Sequence, residues 1–191
     1  MSYFEFLMVM AGIVVAVAMT EIMSGLGRLI QTRRQVKHDL LHLGWSFVAL
    51  LLSMLYWHGM WPYQNSEFTH VVQVWLLVLP TLSLVLVAFA LSPGIDGAGK
   101  LIVREYYLAK RRPIFLGFAV FIAMAWVADF AITKNLSIAD SSSTVGLIVV
   151  FVILAFTAKI WVHTVLMILV ALFLSAAGFQ SVSEAFTRFD V

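Results

Sequence analysis

The sequence predicts an all-α polytopic membrane bundle of about six helices, and three observations carry that reading. First, 62% of the 191 residues are hydrophobic, 12% are charged, and the mean hydropathy is +1.00. A soluble domain of this size would be about 45–50% apolar and about 25% charged, so a soluble core has no room for these side chains. Second, the apolar residues fall in runs near the roughly 20 residues that a bilayer crossing needs. Third, the basic residues fall almost wholly in alternate connections.

The elements follow in order as one transmembrane domain, residues 1–191, with spans at about 3–27, 40–60, 71–91, 114–132, 144–158 and 162–180. Pro80 sits inside the third span, and Pro113 is placed in the first turn of the fourth, where a missing N–H does no harm. The last two spans are cut from one apolar stretch, Val145 to Phe179. As a single straight helix it would run about 50 Å, against a hydrocarbon core of roughly 30 Å. Lys159 and His163 mark the division, although no Gly or Pro makes a turn there, and one long helix leaving the membrane is the alternative. The segment Lys100 to Arg112 is expected to form a short helix on the membrane surface, after the turn residues Ser92 to Gly99.

Arg28, Arg33, Arg34, Lys37, Lys100, Arg104, Lys110, Arg111, Arg112 and Lys159 all fall on one side of a six-span chain. Only Lys134 and Arg188 of the 12 basic residues do not. Cytoplasmic loops carry such an excess, so both termini are expected in the periplasm of a bacterial inner membrane. Ala16-Val17-Ala18 looks like a cleavage site, but Met1 to Phe6 holds Glu5 and no cation, so the first segment reads as a retained helix. Trp57, Trp61, Tyr56 and Tyr63 belong to an interfacial belt.

In lipid, small residues mark helix contacts better than apolar ones do. In the first span Gly12, Ala16, Thr20 and Ser24 recur at four-residue steps, and Ala11, Ala18 and Gly25 at seven. This broad arc predicts a central first helix. In the second, His42, Ser46, Ala49, Ser53 and Tyr56 form one stripe. The helix-packing positions predicted here are Gly12, Ala16, Gly25, Ser46, Ala49 and Ser53.

Absences exclude several classes. With no cysteine there are no disulfides and no thiolate metal sites. Gly-x-Ser-x-Gly and His-Glu-x-x-His are missing, and Asp96-Gly97 lacks the further aspartates of headgroup transferases. His38 and His42 share a helix face, but two ligands fall short of a metal site, and five histidines are too few for a membrane desaturase. His42 and His58 lie sixteen residues apart, about 160° round the helix, which argues against two haems in one bundle. No basic domain supports nucleic-acid binding. No enzyme activity, metal or cofactor is expected.

Glu21 is the residue most out of place, since a carboxylate within an apolar helix is costly and by default a functional candidate. It shares a face with Ser24, Gly25 and Arg28, and pairing with a basic residue of another helix is the structural alternative. Pro80 frees the Leu76 carbonyl, which Thr81 or a water can take up. The residues predicted along a transport path are therefore Glu21, Thr20, Ser24, Pro80 and Thr81.

Phe4-Glu5-Phe6-Leu7, Gly25 to Ile30 with the basics that follow, Trp45 with Trp57 and Trp61, and Glu105-Tyr106-Tyr107 leading to Arg111-Arg112-Pro113-Ile114-Phe115 make a recognisable set. Together they resemble a group of small multipass bacterial inner-membrane proteins, over about residues 3–132. The resemblance implies that membrane and about six helices, and it brings no activity and no functional residues. Two functions compete: a small homo-oligomeric ion or proton channel or transporter, and a non-transporting partner, scaffold or sensor subunit acting through helix contacts and its basic loop.

Overall fold

The structure, a computed structural model, describes residues 3–31, 36–37, 40–66, 71–93, 101–134 and 138–189. The fold is an all-α helical bundle of six helices: α1 Tyr3–Gln31, α2 Leu40–His58, α3 Val71–Leu91, α4 Val103–Thr133, α5 Ile138–Phe156 and α6 Ile160–Phe189. A short 3-10 turn, Trp61–Asn65, follows α2. Val36–Lys37 (β1) pairs in parallel with Leu101–Ile102 (β2), tying two connections together at one end of the bundle. Five helices are long and apolar enough to cross a membrane, while the apolar part of α5, Ser141–Phe156, is shorter.

The packing corrects the expected centre. α3 is the most buried helix, held between α1 and α4, and α2 lies across α1, α3 and α6. α5 packs on α4, and α6 chiefly on α2. α1 buries Phe4, Leu7, Ala11, Val15, Ala18, Ile22, Gly25 and Leu29. These steps of three and four are the seam of a left-handed helix pair. Ala11, Ala18 and Gly25, the set at seven-residue steps, lie in that seam. Of the set at four-residue steps, Ala16, Thr20 and Ser24 are exposed. α1 is thus a flank of the bundle with a contact face and an open face. A methyl group on Gly25 would come within 2.6 Å of Ser92 Oγ and 3.2 Å of its Cα, so a side chain there would separate α1 from the end of α3.

The core where α2, α4 and α5 meet is aromatic. Trp45 meets Phe115 edge-on at 4.7 Å between ring centroids, and Phe118 stacks on Phe151 at 5.1 Å. The buried serine and threonine hydroxyls of α2 and α3 turn back on their own helices: Ser46 to the His42 carbonyl, Ser53 to Ala49, Thr81 to Val78 and Ser83 to Pro80. This back-bonding satisfies a hydroxyl without lining a passage.

α4 differs from the expected surface helix followed by a span. It runs unbroken through Pro113, eleven residues in, and Val103, Tyr106 and Tyr107 pack into the bundle. The Tyr106 hydroxyl donates to the Ala90 carbonyl at 3.0 Å, and Tyr107 is fully buried. An internal proline removes one backbone hydrogen bond, which a bundle tolerates when neighbouring polar groups take up the slack. One turn back, Arg111 Nη1 donates to the Leu108 carbonyl at 2.6 Å. At Pro80 the expected donor is also different. Thr81 bonds Val78, and the Tyr56 hydroxyl of α2 reaches the Leu77 carbonyl at 2.5 Å, beside the gap the proline opens.

The stretch read as two spans does divide, at Thr157–Lys159, so the single long helix is not formed. Thr157 N–H ends α5 on the Ile153 carbonyl, and the Lys159 carbonyl accepts the first hydrogen bonds of α6, from Val162 and His163. His38, His70, Asp96, Gly97, Arg33, Arg34 and Lys100 lie outside the described residues.

Candidate functional site

Two regions gather the side chains of interest: the open face of α1, and the corner where α5 turns into α6. On α1, Ala16, Thr20 and Ser24 form an exposed row, and Ile13, Val17 and Met23 flank it. Grooves run along either side of the row. One, of about 750 Å³, lies between α1, α2 and α6 and includes Ala16, Met54, Trp57, His58 and Gly178. The other, of about 380 Å³, lies between α1 and α3 and includes Thr20, Glu21 and Phe89. Gly12 is set apart from the row, because a methyl group there would stand 3.2 Å from Trp57 Nε1. Trp57 uses the space that the glycine leaves.

Glu21 is paired within its own helix. Arg28 Nη2 donates to Glu21 Oε1 at 3.0 Å, and the two side chains are 42% and 21% exposed. Seven residues bring a helix back to within about 20° of the same direction, so the two long side chains reach along one face. Pairing with a basic residue of another helix, the alternative considered from sequence, is not the arrangement formed. The Glu21 carbonyl also accepts from Ser92 Oγ at 2.9 Å, which fixes α3 against α1. Glu21, Thr20 and Ser24 lie together near the outer face of α1, whereas Pro80 and Thr81 are buried in α3. The five residues predicted along one path are not brought into one passage. Of the predicted packing positions, Gly25, Ser46, Ala49 and Ser53 are buried, and Ala16 is exposed.

The α5–α6 corner rests on His163, which in the sequence marks, with Lys159, only the division between two spans. His163 is fully buried. Its Nε2 lies 2.9 Å from the Thr157 carbonyl, and its Nδ1 lies 2.6 Å from the Tyr107 hydroxyl. A carbonyl only accepts, so Nε2 carries the proton and Nδ1 accepts from Tyr107. The ring thereby caps a helix end that has no Gly or Pro, and it ties α6 to α4. Phe115 lies 5.3 Å from it, centroid to centroid. The available signal was a lone histidine beside the only polar break in a long apolar stretch.

His42 is likewise buried, edge-on to Tyr106 at 6.4 Å. Among the described residues no three His, Asp or Glu side chains converge in a way that could hold a metal. At the opposite end of the bundle, the Tyr63 hydroxyl donates to Asp129 Oδ1 at 2.7 Å, fixing the turn after α2 against α4.

These features define an integral, multipass helical membrane protein with a closed aromatic core and an open lateral face. No protein family, no curated protein and no solved structure matches the chain.

Proposed function

We propose that this protein is a non-enzymatic, membrane-embedded subunit that works through lateral helix contacts, the first of them with a second copy of itself along α1. The observation that carries the reading is the exposed row Ala16, Thr20, Ser24 at four-residue steps. Small residues at this spacing let two helix backbones approach closely, which is the main source of helix association in lipid. The row is also self-complementary, as a two-fold contact between identical chains requires. The core supports a role outside the bundle: its aromatic rings interlock, and the serine and threonine hydroxyls of α2 and α3 are spent on their own helices. The bacterial inner membrane, with basic connections cytoplasmic and both termini periplasmic, belongs to the same proposal. A reporter fused after Gln35 is then expected to read cytoplasmic and one after Asn65 periplasmic, and the reverse pattern would invert the topology.

An ion or proton path between copies is the second reading, and the placement of Thr20, Glu21 and Ser24 near the open face favours it. In that reading the seam between two α1 helices carries the charge. Mass measurement by light scattering in nanodiscs, with flux assays in liposomes, tests both. A dimer or larger assembly without flux of H⁺, K⁺, Na⁺ or Cl⁻ is the expected result. Flux that Glu21→Gln abolishes would install the second reading, and a monomer at native lipid ratios would overturn both.

A further inference from the structure

Three cations are held at the end of the bundle where α4 passes the α5–α6 corner. The Arg112 guanidinium carbon lies 5.7 Å from the centroid of the Phe156 ring, at the last residue of α5. Lys159 is three residues further on, exposed in the corner itself. Arg111 lies within electrostatic reach of His163, with Nη1 on the Leu108 carbonyl and Nε buried without an acceptor. Among the described residues none of the three has a carboxylate partner.

Left to themselves, like charges on mobile segments move apart. Here the backbones that carry them are fixed, because Arg111 and Arg112 stand on a continuous helix and His163 ties down the corner that carries Lys159. Beside them, Phe156 and Trp161 are 61% and 66% exposed. Cations that have no carboxylate partner among the described residues, next to exposed aromatic rings, match the chemistry of the membrane interface, where rings sit at headgroup level and basic pockets between helices hold anionic headgroups.

We propose that Arg111, Arg112 and Lys159 bind the phosphate headgroup of an anionic phospholipid, whose chains run down past Phe156 and Trp161. The exposed rings favour a lipid over a free anion, since a free anion has no use for them. Lys110 stands about 200° round α4 from Arg112 and lies outside the site.

Native mass spectrometry of the detergent-purified protein, with phosphatidylglycerol and phosphatidylcholine at equal concentration, tests the site. The wild type is expected to retain phosphatidylglycerol preferentially. Arg112→Gln and Lys159→Gln are each expected to weaken that retention about fivefold, the worth of one surface cation at an anionic membrane. Lys110→Gln, and Lys134→Gln at the far end, are expected to leave it within about twofold, since neither touches the site. Arg112→Lys keeps the charge and is expected to retain the lipid, which separates a lost site from a lost fold. Equal retention of the two lipids, or a loss at Lys110→Gln as large as at Arg112→Gln, would overturn the site. Displacement of phosphatidylglycerol by millimolar inorganic phosphate would overturn the assignment of a lipid.

Discussion

Removing the imidazole at the α5–α6 corner is the perturbation whose size the structure fixes best. His163→Phe keeps a planar ring in the buried space and deletes both nitrogens. The Tyr107 hydroxyl then loses its acceptor at 2.6 Å, and the Thr157 carbonyl its donor at 2.9 Å. A buried polar group left unsatisfied costs about 1–3 kcal/mol. Two of them give roughly 2–6 kcal/mol, with the lower end favoured because Thr157 is only partly buried. Tyr107→Phe removes the other side of one bond and is expected to cost about 1–3 kcal/mol, since His163 Nδ1 is orphaned. The double variant restores apolar matching between α4 and α6. Its cost is expected to fall short of the sum by about 0.6 kcal/mol and by no more than about 1.7 kcal/mol, the mean and maximum for side-chain hydrogen bonds inside membranes. Reversible unfolding in mixed micelles, run as a double-mutant cycle, reads this directly. Additivity within about 0.3 kcal/mol would refute the bond between Tyr107 and His163.

Three further outcomes follow from local geometry. Gly25→Ala is expected to melt below Gly27→Ala by an amount equivalent to about 1–3 kcal/mol. Both gain the same helix propensity, but only the first drives a methyl group into Ser92, and the site at Gly27 is open. Glu21→Gln is expected to change unfolding free energy by no more than about 1 kcal/mol, because its pair with Arg28 is partly exposed and screened. A larger loss in the same assay would mean that the pair is shielded from water in the assembled protein. Lys134 ends α4 with φ 53°, a left-handed conformation that costs a side-chain-bearing residue about 1 kcal/mol. Lys134→Gly is therefore expected to raise the melting temperature, and a fall would show that the lysine side chain contributes more than its backbone costs.

The helices themselves were legible because lipid imposes one length and one polarity on every span. The segment 71–91 shows this: it contains no charge, and α3 occupies the same residues. Faces were harder to read. In lipid an apolar side chain does not distinguish inside from outside, so α1 offered two small-residue sets, and only three-dimensional packing separates the seam at Ala11, Ala18 and Gly25 from the open row at Ala16, Thr20 and Ser24. Pro113 misled for a related reason. Proline suits the first turn of a helix, but α4 carries it in its interior, with Tyr106 and Tyr107 packed in the turns before it. At the α5–α6 corner the turn is made by a side chain reaching six residues back, and His163 to Thr157 is a tertiary bond that no local turn signal encodes. Glu21 was conspicuous in the sequence because it is a charge among apolar residues. Its neutralisation by Arg28 depended on a reach of seven residues that spacing permits without requiring.

The lateral role proposed for α1 can be tested most directly by cysteine cross-linking in native membranes, since the chain has no cysteine of its own. Single cysteines at Ala16, Thr20 and Ser24 on the open row would be compared with one at Ala18 in the buried seam and one at the exposed Phe173 on α6. A lateral contact along α1 gives disulfide-linked dimers from the three row positions and none from Ala18 or Phe173. Monomer at all three row positions, or dimer from Phe173 as readily as from Ala16, would contradict it.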